Sequence, residues 1–191
     1  MNALENWFCS TAFWRHVTQA RVLPWIISGW TLGDHVLEVG AGPGAATSEL
    51  RRRTSRVTSL EYDRSLSDGL RAIEGRRGDS IVQGDAAALP FADSSFSSAI
   101  AVLVLHHLHS CELQDRAFVE IHRILRPGGH FFAFEIEDGW LQRSIHKNST
   151  FVPLASTSIS ARLSNAGFSR TTVDFRRGGF AMRATRARDV V

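Results

Sequence analysis

The chain has 191 residues, 43% apolar and 21% charged, which suits a single domain able to bury its own core. The net charge is only +3, and the basic side chains, arginines apart from Lys147, are spread along the chain; this argues against a nucleic-acid-binding stripe. Cys9 and Cys111 lack metal-ligand or framework spacing, and the apolar run Val22 to Trp30 is broken by Pro24 and Gly29, well short of the ~20 residues that span a bilayer.

No signal-peptide pattern precedes that run, so the expectation is a cytoplasmic protein with reduced thiols and no membrane contact. Residues 2 to 29 read as helical, with Leu4, Trp7, Trp14 and Val17 near one face. Residues 1–30 are therefore assigned as a helical cap, and residues 31–191 as one α/β unit.

From His35 onward, short apolar runs alternate with helical stretches. Strands are expected at His35 to Val39, Arg56 to Glu61, Ser80 to Gln83, Ala99 to Val104 and His130 to Glu135. Helices are expected at Ala45 to Arg53, Ser65 to Ile73, Glu112 to Leu125 and Ser156 to Ala166. Arg170 to Phe175 and Phe180 to Arg186, joined at Gly178 and Gly179, read as a closing hairpin. Such alternation predicts a doubly wound sheet, whose ligands bind beyond the carboxyl ends of the strands. Arg51, Arg52, Arg53 and Arg56 complement the negative end of a helix. The other arginine group, 176, 177, 183, 186 and 188, reads as solvated surface.

The first strand runs into Gly40-Ala-Gly-Pro-Gly44, a turn that lets a ligand approach backbone closely. Its GxGxG spacing departs from the GxGxxG of dinucleotide folds. Glu38, two positions before it, would repel a pyrophosphate and suit a ligand carrying positive charge. Glu61 ends the second strand, where a carboxylate can take both hydroxyls of a ribose. Asp85 and Ala86 follow the third and can pair with the edge of adenine, while Leu89, Pro90 and Phe91 supply apolar surface beside it.

With these residues, Gly84-Asp-Ala-Ala-Ala-Leu-Pro-Phe-Ala-Asp-Ser-Ser-Phe96, Val104-Leu-His-His-Leu108 and Arg123-Ile-Leu-Arg-Pro-Gly-Gly129, the chain resembles the class I S-adenosylmethionine-dependent methyltransferases over roughly residues 32 to 136. The resemblance implies a Rossmann-like, three-layer α/β/α fold whose seven-stranded sheet is mostly parallel with an antiparallel last strand. It implies S-adenosylmethionine as donor and S-adenosylhomocysteine as product. By the same resemblance Glu38, Gly40, Ala41, Gly42 and Gly44 hold the methionine part, Glu61 the ribose, Tyr62 stacks near the adenine, and Asp85 with Ala86 pairs with it. Ala101, Val102 and Leu103 end the fourth strand beside the sulfonium.

His106 and His107 follow that strand and are the candidate bases for an acceptor that must lose a proton. Trp7, Phe8, Phe13 and Trp14 are the candidate cap over a small-molecule acceptor, with residues 138 to 158 as the remaining wall. Glu135, Glu137 and Asp138 are read as substrate-side or solvated acids, and no metal is assigned. The absence of an Asn-Pro-Pro-Tyr type tetrapeptide argues against methylation of exocyclic base amines. A monomer or homodimer is expected. The alternative to an enzyme is a non-catalytic module that binds S-adenosylmethionine or S-adenosylhomocysteine; the turn spacing and Glu38 disfavour a nicotinamide oxidoreductase.

Overall fold

A computed structural model describes residues 3–74, 80–176 and 178–188. Arg177 and residues 189–191 of the expectations above lie outside the described residues, as does the side chain of Leu4. Helices α1 (Ala3–Ser10) and α2 (Ala12–Val17) meet at Thr11, whose hydroxyl accepts from Trp14 N–H and caps α2. A π-helical turn, Thr18–Val22, continues α2 into α3 (Leu23–Ile26). The expected single helix is thus broken at Thr11 and wide-wound at 18–22.

The α/β unit comprises β1 (His35–Val39), α4 (Thr47–Arg53), β2 (Arg56–Glu61), α5 (Arg64–Glu74), β3 (Ser80–Gln83) and β4 (Phe96–Val102). These are followed by α6 (Cys111–Ile124), β5 (Leu125–Glu135), α7 (Trp140–Ile145), α8 (Ser156–Asn165), β6 (Phe168–Arg176) and β7 (Gly179–Arg186). The seven strands lie in the order β3-β2-β1-β4-β5-β7-β6, with β7 antiparallel to both neighbours and the others parallel to one another. The expected Rossmann-like sheet is therefore present. Strand order reverses between β1 and β4, which opens the crevice where ligands of such sheets bind.

β5 starts earlier than the apolar pattern suggests. Leu125 pairs with Phe96, the ladder then shifts, and His130 pairs with Ser98, so Pro127-Gly-Gly129 is taken up as a bulge. α7 falls inside the segment expected to be the remaining wall, to which the sequence pattern assigns no helix; it is short, and none of its residues is buried, so it leaves little helical periodicity to read.

Two apolar layers enclose the sheet. On one face α6 and α8 bury Phe118, Ile121, Ile159 and Leu163 against Phe131, Phe168 and Met182. On the other, Val22, Leu23, Trp25 and Ile26 pack with Leu50 of α4 against Val36, Ile100, Phe132 and Phe134. Arg183 of β7 fastens the N-terminal segment by donating to the carbonyls of Ile26 (2.7 Å) and Trp25 (2.9 Å) and pairing with Asp174. It is buried, contrary to the solvated surface expected for its arginine group. Arg186 donates to the carbonyls of His122, Arg123 and Leu125, so it too serves the fold, at the end of α6.

Candidate active site

The carboxyl ends of β1 and β4 build the centre of the site. Gly40 and Ala41 turn the chain by donating to the Leu60 carbonyl at 2.8 and 3.0 Å. Gly40 has φ +67, and a Cβ there would stand 2.4 Å from Val104 Cγ2, so only glycine lets the β1 turn lie against the end of β4. Gly42 has φ +53 with open space where a Cβ would be, and its N–H donates to Glu61 Oε2 at 2.7 Å. Leu103 also takes a left-handed backbone, φ +56, a conformation costly for a branched side chain and concentrated at functional sites.

Glu38 is buried, and its Oε2 accepts from the hydroxyls of Thr47 and Ser59, both at 2.7 Å. Burial pushes its carboxyl up to about 7, against the lowering effect of those two donors. It lines a cavity of about 130 Å³ together with Gly40, Ala41, Gly42, Val102, Leu103 and His107. From the N-terminal segment, Trp14 and Thr18 reach the same cavity. The Thr18 hydroxyl is buried and has no hydrogen-bond partner among the described residues.

A second cavity, about 780 Å³, adjoins the first and shares Cys9, Trp14, Leu103 and His107 with it. Trp7, Phe8, Trp25, Phe134 and Ile145 supply apolar wall. Phe8 and Trp14 pack at 5.4 Å between ring centroids. Phe13 is 69% exposed and lines neither cavity, so it is not part of the expected cap. Cys9 is a free thiol pushed up to about 11, mainly by burial.

Toward β2 and β3 the expected adenosine residues follow two paired strands: Glu61 lies opposite Gln83, and Gly84 N–H donates to the Glu61 carbonyl at 3.0 Å. Besides Gly42, Glu61 accepts from Asp63 N–H at 2.9 Å, so its carboxylate already braces the glycine turn. Tyr62 is 70% exposed, Asp85 accepts from Ala87 N–H at 2.8 Å, and Ala86 is buried. Gly44 closes the turn by donating to Ala41. None of Gly44, Tyr62, Asp85 and Ala86 lines the two cavities.

The two histidines differ in role. His106 is buried with Nδ1 2.6 Å from Glu135 Oε2, and Glu135 Oε1 accepts from Val104 and Leu105 N–H. Glu135 is thus neither solvated nor substrate-side, as expected from sequence, but the buried brace of the turn after β4. His107 Nδ1 donates to the Thr150 carbonyl at 3.2 Å, leaving Nε2 without the proton in the neutral ring. Burial, and then His106, push its ring down to about 3, so it is neutral.

Sequence spacing misses two further features. Arg123 donates to the carbonyls of Leu89 and Phe91 and pairs with Glu120 and Asp93, while Glu120 accepts from Leu89 N–H. This clamp explains why the stretches 84–96 and 123–129 belong together. His146, from the end of α7, joins His106 and His107 at 5.0 and 5.5 Å between ring centroids.

Comparison with known proteins fits this architecture. The methyltransferase domain family model matches residues 37–133. The chain is 27% identical over 179 residues to a demethylmenaquinone methyltransferase of Thermobifida fusca, covering 83% of this chain and 72% of that one. It is 40% identical over 104 residues to a fatty-acid O-methyltransferase of Mycolicibacterium smegmatis, covering 52% and only 36%. Relatives named for tRNA methylation in Bos taurus and for ribosomal RNA methylation in Acidithiobacillus ferrooxidans also match. In structure, a chain from the complex between the Haloferax volcanii Trm112 methyltransferase activator and a methyltransferase superposes with TM-score 0.76 at 16% identity, over 98% of this chain and 99% of that one. A family match spanning half the chain, on a sheet of this topology with its glycine turn at the strand reversal, makes the protein a member of the methyltransferase domain family, a class I S-adenosylmethionine-dependent methyltransferase.

Proposed function

We propose that the enzyme methylates a small, largely apolar molecule held in the larger cavity. The observation that carries this reading is the shared wall: Cys9, Trp14, Leu103 and His107 border both cavities. A donor seated beside Glu38 would therefore adjoin the acceptor's space. A volume of about 780 Å³ is in the usual range for small-ligand sites. No basic stripe favours an RNA acceptor, and among the described residues no helix is long and apolar enough to cross a membrane.

The residues around the smaller cavity fit the amino-acid end of S-adenosylmethionine. Glu38 would face its positive charge, the unpartnered Thr18 hydroxyl would take one of its polar atoms, and the turn at Gly40, Ala41, Gly42 and Gly44 would lie along it. Glu61 would hold the ribose, and Tyr62, Asp85 and Ala86 the adenine; what supports this is their place after β2 and β3, at the same edge of the sheet. When bound, the donor supplies an electrophilic methyl group on a sulfonium.

The chain's own contribution is to orient the partners and exclude water, through Val102, Leu103 and the aromatic wall of Trp7, Phe8 and Trp14. His107 would accept a hydrogen bond from the acceptor at Nε2, its tautomer being fixed by Thr150; a ring pushed down to about 3 orients the acceptor and is too weak a base to take its proton outright. His106, held by Glu135, is assigned as a positioning residue. The two unpaired cysteines favour the cytoplasm.

Calorimetry with S-adenosylmethionine, S-adenosylhomocysteine and NAD tests the donor. Labelled donor offered with a reduced quinone, a long-chain fatty acid and bulk RNA tests the acceptor class. Binding of the first two ligands and label in a small molecule are expected; NAD binding alone overturns the donor reading, and label in RNA alone overturns the acceptor reading.

A further inference from the structure

His106, His107 and His146 come from two separate stretches of chain, yet one ring nitrogen of each lies within 4.8 Å of the other two. Their ring centroids are 4.2, 5.0 and 5.5 Å apart. In every ring Nδ1 is already committed: to the Glu135 carboxylate at 2.6 Å, to the Thr150 carbonyl at 3.2 Å and to the Gln142 carbonyl at 2.7 Å. A carbonyl only accepts, so the last two bonds require Nδ1–H, and Nε2 is the nitrogen left for a ligand in each ring.

This arrangement matches the outer shell of a histidine metal site, where the second ring nitrogen donates to a carboxylate or backbone carbonyl and so fixes both tautomer and ring orientation. His106 and His146 are buried and His107 is half-buried, and all three line the larger cavity. Glu5, itself buried, places Oε1 3.9 Å from His146 Nε2 and accepts from the Ser149 hydroxyl.

We propose that the three Nε2 atoms bind a divalent transition-metal ion of the Zn²⁺ type, with its fourth position toward the large cavity. Imidazole donors select such ions over Mg²⁺ and Ca²⁺, which take oxygen ligands. Tetrahedral Zn–N bonds place their nitrogens ~3.3 Å apart. One ring nitrogen of each histidine lies within 4.8 Å of the others, wider than that spacing, so the rings have to draw together around the ion. Three protein ligands with one open position is the pattern of a catalytic rather than a closed structural site.

The role of the ion rests on the proposed function, although its binding does not. The His107 lone pair that would accept the acceptor's hydrogen bond goes instead to the metal. An acceptor hydroxyl in the fourth position then loses its proton to solvent water more readily than a free one, and its oxygen is the nucleophile for the methyl group.

Full-length protein stripped with a chelator and titrated with ZnCl₂ is expected to take up one ion per chain. His146→Ala is expected to weaken that uptake at least ~100-fold, and Glu135→Gln ~10- to 100-fold, as for loss of an outer-shell partner. Titration of CoCl₂ gives a second readout, the absorption of a tetrahedral rather than an octahedral ion. His146→Gln is a conservative second variant should His146→Ala fold poorly. No uptake by the wild type, or uptake unchanged in both His146 variants, overturns the site. S-adenosylhomocysteine is titrated into the same samples: binding without Zn²⁺ uptake sinks the metal alone, whereas loss of nucleoside binding in the wild type sinks the donor reading.

Discussion

Glu135 and His106 form a buried hydrogen-bonded pair, 2.6 Å from Oε2 to Nδ1, in which a residue at the end of β5 holds the turn that follows β4. The other carboxylate oxygen takes the N–H groups of Val104 and Leu105, so one side chain organises three groups of that turn. Its position on the neighbouring strand makes the turn's geometry depend on the sheet.

Removing that brace would strand buried donors. Glu135→Ala is expected to lower stability by about 3 to 5 kcal/mol, the range for breaking a buried, hydrogen-bonded pair from one side. Urea unfolding followed by tryptophan fluorescence measures it. A loss below about 1 kcal/mol would mean that the turn holds itself.

Glu61 should report on both the glycine turn and the donor. Glu61→Ala is expected to weaken S-adenosylhomocysteine binding by about 1.5 to 3 kcal/mol, the range for hydrogen bonds to a charged group. Because the carboxylate also holds Gly42 and Asp63 N–H, some loss of stability should accompany it in the ligand-free protein. Lost stability with unchanged affinity would assign Glu61 to the turn alone.

Donor affinity should depend on pH through Glu38. With its carboxyl raised from 4.5 to about 7, the folded chain holds this proton more tightly than the unfolded chain does. Its contribution to stability is accordingly full below about pH 4.5 and is lost as pH rises through about 7. A ligand carrying positive charge favours the ionised form, so affinity should move the other way, rising about tenfold between about pH 6 and 8 with release of a proton. Calorimetry in buffers of different ionisation enthalpy would detect that release. Glu38→Gln should flatten the profile, and an unchanged slope in that variant would place the titrating group elsewhere.

His107→Ala separates donor from acceptor. Loss of a group that orients the acceptor by accepting its hydrogen bond is expected to cut turnover at least ~100-fold. Affinity for S-adenosylhomocysteine should stay within about twofold. A large loss of nucleoside affinity would assign His107 to donor binding instead; it also lines the smaller cavity.

The amino-acid sequence by itself determined the sheet and the glycine turn at its strand reversal. Apolar runs such as His35 to Val39 and Ala99 to Val104 mark strands covered on both faces, and the turn from Gly40 to Gly44 lies within one contiguous stretch. Glu38's place two residues before that turn was readable, but its burial and raised carboxyl were not.

Tertiary structure alone decided which side chains converge. Glu135 looked like an exposed strand-end acid until parallel pairing of β4 with β5 set it beside His106. Thr18, on a wide-wound turn without a motif, reaches the cavity beside Glu38 only because Trp25, Ile26 and their neighbours dock on the sheet. His146 follows a short surface helix and meets His107 across 39 residues of chain. Hydrophobic periodicity encodes which face of an element is buried. It carries no information about which polar groups, distant in sequence, the packing of those faces brings within hydrogen-bonding reach.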